Sequence, residues 1–199
     1  MAVTRRALFV GKDGTLVEDI PYNVDPAQLR FTPGAVQALQ HLHAFGFALF
    51  VVSNQTGVAL GRFDERALLG VERALRERLA VAGVALAGMY WCPHHPQGTA
   101  PRYALHCDCR KPLPGLLWRA AREHGLDLAT SWMLGDILDD VEAGRRAGCR
   151  TVLLDNGHET QWQITPLRLP HLLASDTRCA ADAILAVESM AASATLPAA

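Results

Sequence analysis

The sequence is short of lysine, of charge excess and of long apolar runs, and each shortage excludes something. Among 19 basic residues only Lys12 and Lys111 are lysine, and the rest are arginine. GC-rich codon usage is the simplest source of that bias, so a surviving lysine is a candidate for a task arginine cannot perform. Against the basic residues stand 20 acidic ones, for a formal net charge of −1 and a sequence pI near 6.7. A surface for nucleic acid or anionic lipid needs a clustered basic excess, and none is present. No apolar stretch approaches the roughly 20 residues of a membrane helix. The first apolar run breaks at Gly11-Lys12-Asp13 before a signal-peptide core can form. The expectation is one soluble, cytoplasmic domain over residues 1–190, acting as a monomer, with a flexible tail at 191–199. No nucleic-acid or membrane partner is expected.

What is present is an alternation of buried strands and amphipathic helices. Apolar runs at 7–10, 47–52, 89–91, 132–134 and 151–154 read as strands, most of them ending in polar loops. Between them, Val36, Leu39, Leu42 and Phe45 follow helical spacing after Pro33-Gly34. Leu68, Val71, Leu75 and Leu79 do the same in a helix that Asp64 can cap and that runs to about Ala82. Further helices are expected over 113–124 and 139–147. This order predicts an α/β fold: a Rossmann-like three-layer sandwich with a mostly parallel sheet, no large cap domain and ligands beyond the carboxyl ends of the strands.

Three of the five cysteines fall within residues 92–109, beside His94. Cys92-x-His94 and Cys107-x-Cys109 together make a complete tetrahedral Zn²⁺ set. With all four positions filled by protein, such a site is structural and holds the loop 92–109. The plainer reading is three buried cysteines and a surface histidine. His95 and His106 are expected to be loop residues, and Cys149 and Cys179 small core residues.

The remaining loops suggest phosphoryl chemistry. Ser53-Asn54-Gln55-Thr56-Gly57 offers hydroxyl and backbone N–H donors, Lys111 a compact cation, and Asp136 after Gly135 a ligand for Mg²⁺. Asp140, one helical turn on, could join that cation directly or through a neighbour. Singly, Ser-Asn-Gln is an ordinary turn and Asp139 or Asp140 an ordinary helix cap. In this order along an α/β chain they form a stronger signal.

In that order, Asp13-Gly14-Thr15, Ser53-Asn54-Gln55, Arg110-Lys111-Pro112 and Gly135-Asp136 with Asp140 resemble the four motifs of the haloacid dehalogenase (HAD) phosphatases. The runs from Tyr90 to Gly98 and from Cys107 to Pro112 are similar to those of the D-glycero-D-manno-heptose 1,7-bisphosphate 7-phosphatases. The resemblance spans about residues 5 to 160. Histidinol-phosphate phosphatases rank second, because their zinc loop is shorter than the stretch from His94 to Cys107. The resemblance implies attack by an aspartate on phosphorus and hydrolysis of the resulting aspartyl-phosphate. It makes Asp13 the general acid and base, and Ser53 and Lys111 the phosphoryl-binding groups. Asp136 and the backbone carbonyl of Asp13 become Mg²⁺ ligands. Asp19, Ile20, Pro21, Tyr22, Ser53, Asn54, Gln55, Thr56, Arg110 and Lys111 are implied to contact a small phosphorylated sugar.

The chain departs from that pattern at one decisive place. The family's first motif begins with the nucleophilic aspartate, also a metal ligand, and here that position is Gly11. Glycine has no atom that can attack phosphorus, so turnover is expected to be absent or strongly impaired. Three explanations stand: a variant of an active enzyme, a natural pseudoenzyme that binds a sugar phosphate or a partner, or residual turnover by direct attack of water. A zinc-stabilised interaction module is the reading from outside enzymology. Against it, Asp13, Lys111 and Asp136 are all retained. Ile137 is a second departure, since the heptose enzymes often carry lysine after the metal aspartate.

Overall fold

A computed structural model describes residues 5–194. In chain order the elements are β1 (Ala7–Gly11), α1 (Ala35–Ala44), β2 (Ala48–Asn54), α2 (Thr56–Ala59), α3 (Ala67–Val81), β3 (Leu86–Cys92), α4 (Gly115–His124), β4 (Trp132–Gly135), α5 (Leu138–Ala147), β5 (Arg150–Leu154), β6 (Leu172–Ala174) and α6 (Thr177–Ala194). The strands form one sheet of order β3-β2-β1-β4-β5-β6, and every neighbouring pair is parallel. The order reverses at β1, so β1 and β4 flank the crevice where such sheets take ligands.

Alternation along the strands builds two cores. Leu8, Val10, Leu49 and Val51 face α1, α3 and α6, while Phe9, Phe50, Val52 and Met133 face Leu116, Leu117 and Ala120 of α4. Both faces of the sheet are therefore covered, as the near-continuous apolar character of β1 and β2 requires. Cys107 and Cys109 pack against the second core, which ties the Cys/His loop to α4.

Several expectations are corrected. Asp64 does not cap the long helix: it accepts from Arg66 N at 2.8 Å in a turn before α3 starts at Ala67. Strands β2 and β3 extend to Asn54 and Cys92, and the Ser53–Gly57 loop turns into the short helix α2. Cys149 is buried, but Cys179 is exposed at the start of α6, with its thiol beside Asp176. The proposed tail begins too early, because α6 continues to Ala194; residues 195–199 lie outside the described residues. β6 and α6 themselves were not anticipated. They are anchored by buried Glu188, whose carboxylate accepts from Trp132 Nε1 at 2.9 Å and pairs with Arg150 at 2.6 Å and Arg6 at 3.3 Å.

Candidate active site

The four polar loops meet where β1, β2 and β4 end. Ser53 is buried next to the end of strand β2, and its Oγ accepts from Gln55 Nε2 at 2.7 Å. The same Gln55 amide donates to Asp13 Oδ2 at 3.1 Å, and Asp13 Oδ1 pairs with the buried Lys12 ammonium. Both carboxylate oxygens of Asp13 are thus oriented by neighbours while part of the side chain stays open. Lys111 is brought in by a reciprocal amide clamp. Its N–H donates to Asn54 Oδ1 at 3.0 Å, and its carbonyl accepts from Asn54 Nδ2 at 3.0 Å. The buried Lys111 ammonium then pairs with Asp140. Asp140 sits in the first turn of α5, where Ile137 occupies the cap, so it serves Lys111 and is not a helix cap.

Asp136 lies at the mouth of β4. Its Oδ1 accepts from Thr15 Oγ1 at 2.7 Å, and its Oδ2 lies 2.8 Å from His158 Nδ1. Burial, and then the nearby Asp140 carboxylate, push its pKa up to about 6. The folded value thus stands above the unfolded one. The penalty for ionising Asp136 is absent below about pH 4, grows as pH rises and is complete above about pH 6. In magnesium-free buffer Asp136→Asn is expected to raise stability at pH 7 by about 1–3 kcal/mol and to flatten the fall between pH 4 and 6. Urea unfolding at several pH values checks this; an unchanged slope refutes it.

Gly11 ends β1 at the centre of this group. A Cβ placed there would lie 3.0 Å from Thr15 Oγ1 and 3.7 Å from Asp140 Oδ2. The missing side chain would therefore point toward Thr15 and Asp140, the partner of Lys111. Beside Asp13, a cavity of about 330 Å³ runs between Asp19, Ile20, Pro21 and Tyr22 on one side and Asn54, Gln55 and Thr56 on the other. Arg110 Nη1 donates to Thr56 Oγ1 at 2.8 Å and so borders the same side. Tyr22 is half exposed and holds a left-handed φ of 57°, a conformation a bulky residue rarely adopts without a local reason. A larger groove of about 680 Å³ beside the Cys/His loop is lined by none of Asp13, Ser53, Lys111 and Asp136.

The Cys/His loop is closed. Cys92 Sγ lies 3.5 Å from Cys107 Sγ and 3.7 Å from His94 Nδ1, and Cys109 Sγ lies 3.3 Å from both Cys107 Sγ and His94 Nδ1. A zinc tetrahedron has edges of about 3.8 Å between sulfurs and about 3.5 Å from sulfur to nitrogen, so the four atoms fit one ion. Without a cation the thiols hinder one another's ionisation: Cys92 and burial hold Cys109 far above the usual thiol range. A divalent ion at the centre reverses that balance. Cys109 is followed directly by Arg110-Lys111, so the ion would fix the stem that carries the site's cation.

The chain as a whole is similar to known proteins. The HAD-hydrolase-like family matches residues 108–179. The D-glycero-β-D-manno-heptose-1,7-bisphosphate 7-phosphatase of Pasteurella multocida is 42% identical over 77% of this chain and 83% of its own length. The Escherichia coli K12 protein of that name is 40% identical over 77% of this chain and 81% of its own length. The chain belongs to the heptose bisphosphate phosphatase family of HAD hydrolases. Among solved structures, the D,D-heptose 1,7-bisphosphate phosphatase of B. bronchiseptica, complexed with magnesium and phosphate, is 30% identical. It superposes with a TM-score of 0.77 over 92% of this chain and 99% of that one. A HAD-like phosphatase from Mesorhizobium loti gives a TM-score of 0.80 at 32% identity, covering 94% of this chain and 88% of that one.

Within this heptose bisphosphate phosphatase fold, the motif residues anticipated from sequence do come together, but several of their partners were not anticipated. Thr15 on Asp136, Asn54 on Lys111 and His158 on Asp136 were all missed. Thr15 and Asn54 sat inside the motifs and carried a signal that went unread. His158 follows Gly157 in a loop without periodicity, where no pattern could reveal it. Among the described residues no helix is long and apolar enough to cross a membrane.

Proposed function

We propose that this chain is a sugar-phosphate site of the heptose bisphosphate phosphatases halted at Gly11. It binds D-glycero-β-D-manno-heptose 1,7-bisphosphate, with the 7-phosphate at the edge formed by β1, β2 and β4, as a cytoplasmic monomer. One observation carries the reading: the vacant Cβ position of Gly11 faces Thr15 and Asp140, which bond Asp136 and Lys111 in turn, while Gln55 joins Ser53 to Asp13. In this arrangement the Ser53 hydroxyl and the Lys111 ammonium hold phosphoryl oxygens. Asp13, aligned by Lys12 and Gln55, holds the proton for the sugar oxygen. The 19–22 turn, Asn54 to Thr56 and Arg110 contact the rest of the ligand.

Mg²⁺ suits the same edge. Asp136 is buried with Asp140 close by, while Lys111 is committed to Asp140, so Asp136 lacks a full counter-charge. Asp136 and the Asp13 backbone carbonyl would hold the ion, and Asp140 stands behind Lys111. When bound, it neutralises charge on the phosphoryl oxygens.

Titration calorimetry with the heptose bisphosphate in magnesium buffer tests the proposal. Binding without phosphate release is expected, weakened roughly 10- to 100-fold in Lys111→Met through loss of a charge-assisted contact. Because Lys111→Met alone strands the buried Asp140, Lys111→Met with Asp140→Asn serves as the folded control. No binding by the unmodified chain, or binding indifferent to both variants, overturns the reading.

A further inference from the structure

The segment after β5 closes on Asp136 from the side opposite Thr15, and it is pinned at two points. Asn156 Nδ2 donates to the Gly14 carbonyl at 2.9 Å, and Glu159 Oε2 accepts from Leu138 N at 2.7 Å. Between these anchors His158 places Nδ1 2.8 Å from Asp136 Oδ2. Gly14 makes the approach possible. At φ 75° it has no side chain, and a Cβ there would lie 2.1 Å from Asp136 Oδ2 and 2.4 Å from His158 Nδ1. The imidazole is therefore held at this carboxylate by backbone anchors on both flanks.

Gly11, at the end of β1, contributes no side-chain donor to this edge. Two donors in adjacent positions around an octahedral cation with bonds of about 2.1 Å stand about 3.0 Å apart, close to the observed oxygen–nitrogen separation. An imidazole nitrogen beside one carboxylate suits first-row transition ions, whereas Mg²⁺ favours all-oxygen sites. We propose that His158 Nδ1 is a ligand of the cation held by Asp136. The site would thereby become a mixed nitrogen–oxygen site that takes Mn²⁺ or Co²⁺ ahead of Mg²⁺. This rests on Asp136 being the cation ligand. The competing role for His158 is a hydrogen bond from its ring N–H to the carboxylate. Its side chain is 40% exposed, so the ion can exchange with solvent.

Pulsed electron paramagnetic resonance of Mn²⁺ added to the zinc-loaded, full-length chain separates these roles without reference to turnover. Coupling to a directly bound ring nitrogen is expected, absent in His158→Ala and His158→Gln. By competition titration, the preference for Mn²⁺ over Mg²⁺ is expected to fall about 10-fold or more in both variants. Gln keeps a donor for Asp136 but offers no imidazole nitrogen. If His158→Gln retains the preference, or if Mn²⁺ binds through Asp136 without nitrogen coupling, His158 is a hydrogen-bond donor and the proposal fails. If Asp136→Asn leaves Mn²⁺ binding unchanged, the cation assignment of Asp136 fails first. Unaltered zinc content and melting temperature confirm that the variants fold.

Discussion

Gly11→Asp is expected to raise magnesium-dependent phosphate release from the heptose bisphosphate by roughly 10⁴-fold or more, from a rate near background. That scale follows from what removal of a covalent nucleophile costs other enzymes. In the proposed site, a single carboxylate is what the attack on phosphorus lacks. The geometry also says what the new side chain must displace. Its Cβ would stand 3.0 Å from Thr15 Oγ1 and 3.3 Å from Thr15 Cβ. Thr15 must therefore yield by a few tenths of an ångström, and its hydroxyl bond to Asp136 loosens with it. The new carboxylate also joins Asp136 and Asp140, of which only Asp140 has Lys111 as a close partner. The variant is accordingly expected to melt lower than the unmodified chain in magnesium-free buffer and to regain that loss when Mg²⁺ is added. Continuous phosphate release assays with both proteins side by side decide the matter. Brisk hydrolysis by the unmodified chain would falsify the assignment of Gly11 as the missing group. An inactive Gly11→Asp protein with its zinc intact would point to a long-established binder.

Zinc loss is the second large effect expected. Structural zinc sites of this kind bind with apparent free energies on the order of 10 kcal/mol at neutral pH, comparable with the whole stability of a domain. Cys107→Ala is expected to abolish stoichiometric zinc and to free the 92–109 loop. It should also weaken sugar-phosphate binding, although residue 107 is not among the groups proposed to touch that ligand. The route is short: Cys109 precedes Arg110-Lys111, and Asn54 can clamp Lys111 only if the loop delivers it. Metal analysis, limited proteolysis within the loop and calorimetry with the sugar bisphosphate check the three consequences in turn. Zinc-free protein with an intact loop would contradict the structural role.

The sheet was legible because its strands are buried on both faces and therefore appear as short apolar runs bounded by polar loops. Helices α1 and α3 were legible from their apolar stripes, since Leu39 and Leu42, or Leu68, Leu75 and Leu79, report the core directly. Asp64 misled for a local reason. Its carboxylate accepts from the N–H two residues on, the same bond that a helix cap makes, but here it closes only a turn. β6 and α6 escaped because their anchoring is tertiary: Glu188 is explained by Trp132, Arg6 and Arg150, none of them near it in sequence. Cys179 escaped because a small apolar residue at a helix start has no spacing that tells core from surface. In the site, the residues fixed by motif spacing were readable, whereas those fixed by approach from another loop, such as His158 and Asn156, were not.

The position of β1 in the sheet also orders events during synthesis. Its neighbour β2 follows within about fifty residues, but its other neighbour, β4, begins only at Trp132. As the chain leaves the ribosome, one hydrogen-bonding edge of the central strand stays open until Trp132 has emerged. The Cys/His loop is complete before that point. Capture of zinc can therefore precede closure of the sheet, leaving a folded clip beside an unpaired strand while translation continues.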